Sequence, residues 1–443
     1  MAQSLDHYVA EYENARRTRS IGQPAWLVSA RSDALNRFCA LGFPTTRDED
    51  WRFTSVASIA DRTFALGDEA AADAGRSDVD RFRLPGRLSA EIVFVNGRYV
   101  RALSTASRLP AGTSIESLPF ALASRADEIA PYLTRLASFE RQAFTALNTA
   151  FLADGAWVRI PPRVILEHPI HVLFMSTPSD GPATMSHPRV LAMLGEGSQA
   201  SIVESHAGPD EAAYFTNAVT EIVLGDHAVL HHYKLQHEGA QACHVGAIHV
   251  RAQRSANCTS HSVNLGGFLV RNDVFAVLDG EGAECTLNGL YLADGQRLVD
   301  NHTTIDHAKP HCGSREIYKG VLADRARGVF NGKIIVRPDA QKTDAKQTNR
   351  ALLLSEDAQI NTKPQLEIFA NDVKCTHGAA VGQLDDEAVF YLRSRGLAES
   401  EARRLLIHAF AADVLNRLPL ESIRAAAEQV LQRRLAHALA PAA

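Results

Sequence analysis

What this 443-residue sequence lacks narrows its function before any motif is read. No apolar run reaches the roughly 18 residues of a membrane-spanning helix, so no membrane span is expected. No block of Lys and Arg exceeds a few residues and the net charge is −5, which argues against nucleic-acid binding through a basic footprint. Aromatic residues make up only 7% of the chain. A polysaccharide-processing solenoid, which would line one face with aromatics and carboxylates, is therefore disfavoured. The six cysteines, Cys39, Cys243, Cys258, Cys285, Cys312 and Cys375, include no CxxC pair. The first residues, MAQSLDHYVAEYENARR, are polar and acidic rather than a basic segment followed by an apolar one. Reduced thiols and a cytoplasmic location are expected, not a secreted disulfide scaffold. The phosphate-cradling GxxxxGKS/T loop, the GxSxG nucleophile turn and the HExxH zinc helix are all missing, so no nucleotide-binding or hydrolytic site is expected in this chain.

What is present suits a chain with a sizeable core: 46% hydrophobic and 22% charged residues. The length calls for two or three domains, or for one elongated repeat core with appendages. Leu5, Tyr8, Val9 and Tyr12 recur at helical spacing, and Pro24 opens a second such pattern through Trp26, Leu27, Leu35 and Phe38. A polar loop, GFPTTRDEDWRFT over residues 42–54, is expected to be anchored on the core by Trp51 and Phe53. Residues 66–82, rich in Ala, Asp, Gly and Ser, predict a variable linker.

Strand character begins near Glu91, where Asn96-Gly97 between apolar runs predicts a hairpin. A helical insert is expected over about 120–151, and short strands from Val158 to about Ala380. In that stretch Ala200, Ala228, Ala256 and Ala283 each follow a small or polar turn, at spacings of 28, 28 and 27. Units that cannot bury an apolar face alone must stack, so the period predicts a parallel β-helix. A β-sandwich would have no need of constant coil length. The period loosens beyond His311. The predicted fold is mixed and mainly β: a helical N-terminal domain with linker (1–90), a β-helix core with the helical insert (91–384) and a helical C-terminal domain (385–443).

In the C-terminal part Asp385-Asp386-Glu387 predicts a capped, acidic first turn and Gly396 a stop. Two further helices are expected from about Ser400 to Leu418 and from Leu420 to about Leu439. Leu405, Leu406, Ala409 and Phe410 share one face, and Leu415, Ile423, Val430, Leu431 and Leu435 exceed what packing on the end of a β-helix requires. Either a partner docks there, with Leu405, Leu406, Phe410 and Leu415 as candidate contacts, or the helices form a plain cap.

Candidate chemistry is sparse. His231, His232, His237, His244 and His249 cluster in sequence around Cys243, but in a coiled sheet they would scatter over both faces. Cys375 and His377 stand at i and i+2 of a strand pattern and would share a face about 6.5 to 7 Å apart. Two ligands do not complete a thiolate–imidazole metal site. The pair is therefore either inert or half of a site that a second chain completes.

Several segments together resemble the SufB/SufD family of iron–sulfur cluster assembly proteins. They are Lys374-Cys375-Thr376-His377-Gly378-Ala379 with Phe390-Tyr391-Leu392-Arg393-Ser394-Arg395-Gly396-Leu397, Gly328-Val329-Phe330-Asn331-Gly332, Gln347-Thr348-Asn349, Pro364-Gln365-Leu366-Glu367-Ile368, the GFPTTRDEDWRFT loop, and ALNTAF at 146–151. The resemblance covers about residues 40–418. Within the family the Cys375-Thr376-His377-Gly378 segment is of the SufD type, and Ala358 stands where the SufB type carries a cysteine.

The resemblance implies a parallel β-helix with helical ends that pairs with SufB through its core and docks the SufC ATPase through its C-terminal helices. ATP binding by SufC would then expose a cluster-building site at the SufB interface, where His377 matches the implicated histidine. It further implies that iron or a nascent iron–sulfur cluster sits at that interface, that this chain alone binds no cofactor stably, and that reduced flavin is associated with the complex; a homodimer of the isolated chain is left open. The subunit itself would be a non-catalytic scaffold. Two alternatives stay open: a purely structural subunit without a chemical role, and the SufB paralogue.

Overall fold

The computed structural model describes residues 2–19, 22–67, 76–179 and 181–438. The chain begins with helices α1 (Ala2–Arg19) and α2 (Ala25–Leu41), the short α3 (Ala57–Ala60), strand β1 (Phe64–Leu66) and helix α4 (Arg76–Asp80). Strands β2 (Ala90–Val95), β3 (Arg98–Tyr99), β4 (Thr105–Ala106) and β5 (Ser114–Ser117) follow, then helices α5 (Leu118–Ile129) and α6 (Ala143–Ala150). The helical periodicity buries Tyr8, Tyr12, Leu35 and Phe38, and the rings of Tyr8, Phe38 and Phe43 meet edge-on at 5.2 to 5.9 Å. Phe144 and Leu147 of α6 join the same cluster, so the second half of the expected insert packs with the N-terminal helices. Asn96 and Gly97 both adopt positive φ, and β2 pairs antiparallel with β3, as the Asn-Gly hairpin predicted. The linker expected over 66–82 is corrected at its far end, where α4 forms because Val79 buries against Val93 and Val95. Residues 68–75 lie outside the described residues.

From residue 156 the chain coils. Strands β6 (Ala156–Ile160), β7 (Ile170–Met175), β8 (Ala183–Ser186), β9 (Arg189–Leu194), β10 (Gln199–Ala207) and β11 (Tyr214–Leu224) establish two sheets. Strands β12 (Val229–His237), β13 (Cys243–Ala252), β14 (Asn257–Asn264), β15 (Leu269–Leu278), β16 (Glu284–Ala293) and β17 (Leu298–His307) extend them. The last coils are β18 (Gly313–Leu322), β19 (Arg327–Val336), β20 (Asp344–Leu353), β21 (Gln359–Ile368) and β22 (Lys374–Gly382). Sheet one runs β5-β6-β9-β11-β13-β15-β17-β19-β21, and sheet two runs β3-β2-β7-β10-β12-β14-β16-β18-β20-β22. From β9 onward every pairing along the two paths is parallel, giving the expected solenoid with one strand per sheet in each turn.

The register explains the period. Val229 pairs with Asn257, 28 residues on, and Asn257 with Glu284, 27 on. Immediately before the strands of sheet two stand Ser198, Ala228, Ala256, Ala283, Cys312 and Thr343, all buried. Each follows a residue with φ between 52° and 71°: Gly197, His227, Ser255, Gly282, His311 and Lys342. A left-handed residue turns the chain at each corner, and only a small side chain fits inside the corner after it. Ala200 is therefore not a member of the column: it pairs with Leu230 inside the strand, and Ser198 holds the corner. Beyond His311 the pairing steps lengthen, Gly313 to Asp344 being 31 and Arg327 to Gln359 being 32, while these strands stay 10 residues long. The loosened period is a change of turn length.

Helices α7 (Asp386–Ser394), α8 (Glu399–Leu415) and α9 (Glu421–Ala438) close the chain. Asp385 Oδ1 accepts from Glu387 N at 2.9 Å, the cap that the sequence predicts, and Gly396 has φ 96°. Helices α8 and α9 lie along the outer face of sheet two. Leu415, Ile423, Leu431 and Leu435 are buried there with Val203, Tyr233, Leu290, Leu292 and Val321. The apolar excess inferred from the sequence is thus consumed within the chain, because the helices cover the flank of the solenoid rather than its end. Lys319 fixes α8: its Nζ donates to the Phe410 carbonyl at 3.0 Å, pairs with Asp413 at 3.0 Å and sits 4.5 Å from the centre of the Phe410 ring.

Candidate site at the open end of the solenoid

Strands β21 and β22 form the terminal coil, and among the described residues no strand pairs with their outer edges. Ile368, Phe369 and Val381 are 39%, 62% and 48% exposed at this end. An uncovered edge bearing apolar side chains is a template for another chain. Cys375 pairs in register with Ala345, and His377 with Gln347. Cys375 packs with Ala345 and Leu366, which places it on the lumenal face, and His377 at i+2 shares that face. Burial pushes the Cys375 thiol up, only partly offset by the Ala345 backbone hydrogen bond, so this cysteine is a thiol rather than a thiolate near neutral pH. His377 is exposed. Among the described residues no group of three or more His, Cys, Asp or Glu is arranged to hold a metal. The pair remains two potential ligands on an open edge.

Behind His377 the lumen is polar, which the sequence did not reveal. Gln347 Nε2 donates to Glu316 Oε2 at 2.8 Å, and the Glu316 carboxyl is pushed up to about 7 by burial, against the hydrogen bond from Gln347. An acid raised in the folded state contributes most below its unfolded value of 4.5, and that contribution is lost as pH rises through about 7. Glu316→Gln should therefore melt like the wild type at pH 4 and be more stable at pH 8, by on the order of 3 kcal/mol. Equal differences at both pH values would contradict a buried, largely neutral carboxyl.

Among the described residues, the clustered histidines join no group of three or more metal-ligating side chains. His232 Nε2 lies 2.9 Å from Glu204 Oε1 and its Nδ1 2.9 Å from Ser260 Oγ. His244 Nε2 lies 2.9 Å from Lys234 Nζ and its Nδ1 2.8 Å from Glu238 Oε2. His249 stacks on Phe275 at 4.8 Å, and His237 meets Phe82 edge-on. Lys234, pushed down to about 8 by burial, also donates to Asn272 Oδ1 at 2.5 Å. A Cβ on Gly246 would stand 2.5 Å from the Lys234 ammonium, so the glycine makes room for it.

The docking candidates divide. Leu405 is 49% exposed, Leu406 and Phe410 are half-buried, and Leu415 is fully buried and cannot touch a partner. Phe390 and Tyr391 of α7, at 71% and 57% exposure, are the apolar surface that the sequence reading did not single out for docking. In the 42–54 loop Trp51 lies under the Arg271 guanidinium, 4.4 Å from it, and Thr54 Oγ1 donates to Asp300 Oδ2 at 2.5 Å. Phe53 does not anchor the loop; it is 41% exposed, because Arg271 and Asp300 already hold the neighbouring residues.

Comparison with known proteins decides the family. The family model for the SUF system FeS cluster assembly SufBD core domain matches residues 174–410, and that for the SufBD protein N-terminal region matches residues 2–172. The chain belongs to the SufBD family. It is 34% identical to an iron-sulfur cluster assembly SufBD family protein of Synechocystis over 416 residues, covering 92% of this chain and 91% of that one. It is 31% identical to iron-sulfur cluster assembly protein SufD of Escherichia coli, covering 96% and 94%, and 26% identical to SufD of Bacillus subtilis, covering 93% and 95%. No described helix is long and apolar enough to cross a membrane.

Proposed function

We propose that this SufBD-family chain is the SufD-type, non-catalytic scaffold subunit of a cytoplasmic SufB–SufC–SufD assembly, contributing His377 to iron capture and cluster building at the SufB interface. One observation carries the reading: an exposed imidazole with a protonated thiol two residues away stands on the unpaired edge of the terminal coil. Such a half-site acquires chemistry when a second chain adds ligands and covers the exposed Phe369 and Val381. Iron and the nascent cluster are cargo of that interface, and reduced flavin would be bound by the complex, not by this chain alone. ATP hydrolysis falls to SufC, consistent with the missing phosphate loop in this sequence. Purifying the chain with and without co-expressed SufB- and SufC-type partners and measuring bound iron and sulfide tests the reading. Iron and sulfide retained only in the ternary complex is the expected result, and a ternary complex devoid of both would overturn it.

SufC docking is assigned to the C-terminal helices through the exposed Phe390, Tyr391 and Leu405 and the half-buried Leu406 and Phe410. Phe390→Ser with Leu405→Ser should abolish retention of the ATPase in pull-downs while leaving the melting of the chain nearly unchanged, since exposed positions contribute little to folding. Undiminished retention would move the docking site elsewhere.

A further inference from the structure

The motifs Phe330-Asn331-Gly332 and Gln347-Thr348-Asn349 are explained by neither the edge nor the docking residues, yet Phe330, Gly332 and Gln347 meet inside the lumen one coil behind His377. Gln347 is 2% exposed. Its carboxamide is confined: a Cβ on Gly332 would stand 2.2 Å from Gln347 Nε2, so any larger residue at 332 would displace the side chain. With Nε2 donating to Glu316, the amide has one group left, and Oε1 is buried without a hydrogen-bond partner. Buried acceptors are seldom left unsatisfied, so such an atom invites an explanation. The register supplies one. His377 is the direct strand partner of Gln347 on the same lumenal face, and paired strands lie about 4.8 Å apart.

We propose that Gln347 is the positioning residue for His377: its carboxamide oxygen, held by Glu316 and Gly332 and unpartnered in this structure, accepts one imidazole N–H once the exposed ring turns into the lumen, and so fixes which ring nitrogen faces outward. An imidazole that binds a metal through one nitrogen needs the other held as an N–H donor, and a carbonyl oxygen is a suitable acceptor. Above pH 7, where the Glu316 carboxyl is ionised and can only accept, Nε2 is committed to it and cannot exchange places with the oxygen without breaking that bond. The role of the oriented nitrogen as an iron ligand rests on the function proposed above; the hydrogen bond itself does not.

The full-length chain labelled with ¹⁵N-histidine, at a pH where the ring is neutral, reads the tautomer of His377 directly, with His377→Ala identifying its signals. The expected result is one dominant tautomer in the wild type and a mixture in Gln347→Leu, which keeps bulk but removes the acceptor. The double variant Glu316→Gln with Gln347→Glu retains a donor amide behind an acceptor oxygen and should restore the single tautomer. It also decides the question if Gln347→Leu does not fold. A His377 ring with no preferred tautomer in the wild type, an unchanged tautomer in folded Gln347→Leu, or a mixture in the double variant would each overturn the proposal. In the assembled complex, Gln347→Leu should weaken ferrous-ion binding about 10- to 100-fold in the presence of His377 and have no effect in a His377→Ala background. Loss of ferrous binding in both backgrounds would point to a merely structural role and overturn the positioning assignment. Tautomer control by Gln347 combined with unchanged iron binding in His377→Ala would leave the positioning intact and refute the iron-ligand reading alone.

Discussion

A His377→Ala chain co-expressed with its SufB- and SufC-type partners should assemble normally and leave ATP hydrolysis intact, yet lower cluster content about 10-fold or more. The side chain is exposed at an open edge, so its removal creates no cavity and breaks no packing. The expected loss is therefore chemical: alanine supplies neither a nitrogen ligand nor an N–H for orientation. Cys375→Ser should cost less, because the native thiol is kept protonated by burial among Ala345 and Leu366 and is a poor ligand to begin with. Iron and sulfide content per assembled complex is the measurement. If the amount of soluble complex fell in step with cluster content, the histidine would be a structural contact and the chain a scaffold only. Normal cluster content in a fully assembled His377→Ala complex would remove the site assignment altogether.

The largest expected stability effect lies elsewhere, at Glu221. Its carboxylate accepts from Thr134 N at 3.0 Å, Leu136 N at 3.2 Å and Ala137 N at 3.0 Å, and from Arg189 Nε at 3.0 Å and Nη2 at 2.6 Å. Arg189 and Glu221 are both fully buried. Arg189 Nη1 also donates to Asn148 Oδ1 at 3.0 Å, and Asn148 Nδ2 donates to the Pro188 and Asn217 carbonyls. This knot ties the segment after α5 and the ALNTAF helix to sheet one. Glu221→Ala strands a guanidinium and three backbone donors, so unfolding should show a loss of about 3 to 5 kcal/mol. Glu221→Leu with Arg189→Leu removes both charges and should recover part of that loss. A Glu221→Ala chain within about 0.5 kcal/mol of wild type, the margin ordinary for surface substitutions, would show the knot to be energetically idle.

The repeat of small residues, the Asn-Gly hairpin, the Asp385 cap and the resemblance carried by Cys375 to Leu397 were legible because each is local. A left-handed corner needs a small residue after it, a tight hairpin needs two residues with positive φ, and a helix start needs an acceptor side chain. These patterns determined the solenoid class, the order of its parts and the family. They did not determine which face of each strand is the lumen. Glu204, His232, Lys234, Glu316 and Gln347 point inward, so the usual equation of polar with solvent-facing fails in this core, and their pairing depends on residues one coil away. Nor could the sequence say where the C-terminal apolar residues go: Leu415, Ile423 and Leu431 looked unpartnered until α8 and α9 were laid along sheet two. Only the tertiary structure placed Gln347 behind His377, because residues 30 positions apart become neighbours through the register of stacked coils, and that register is set by turn lengths that vary from coil to coil.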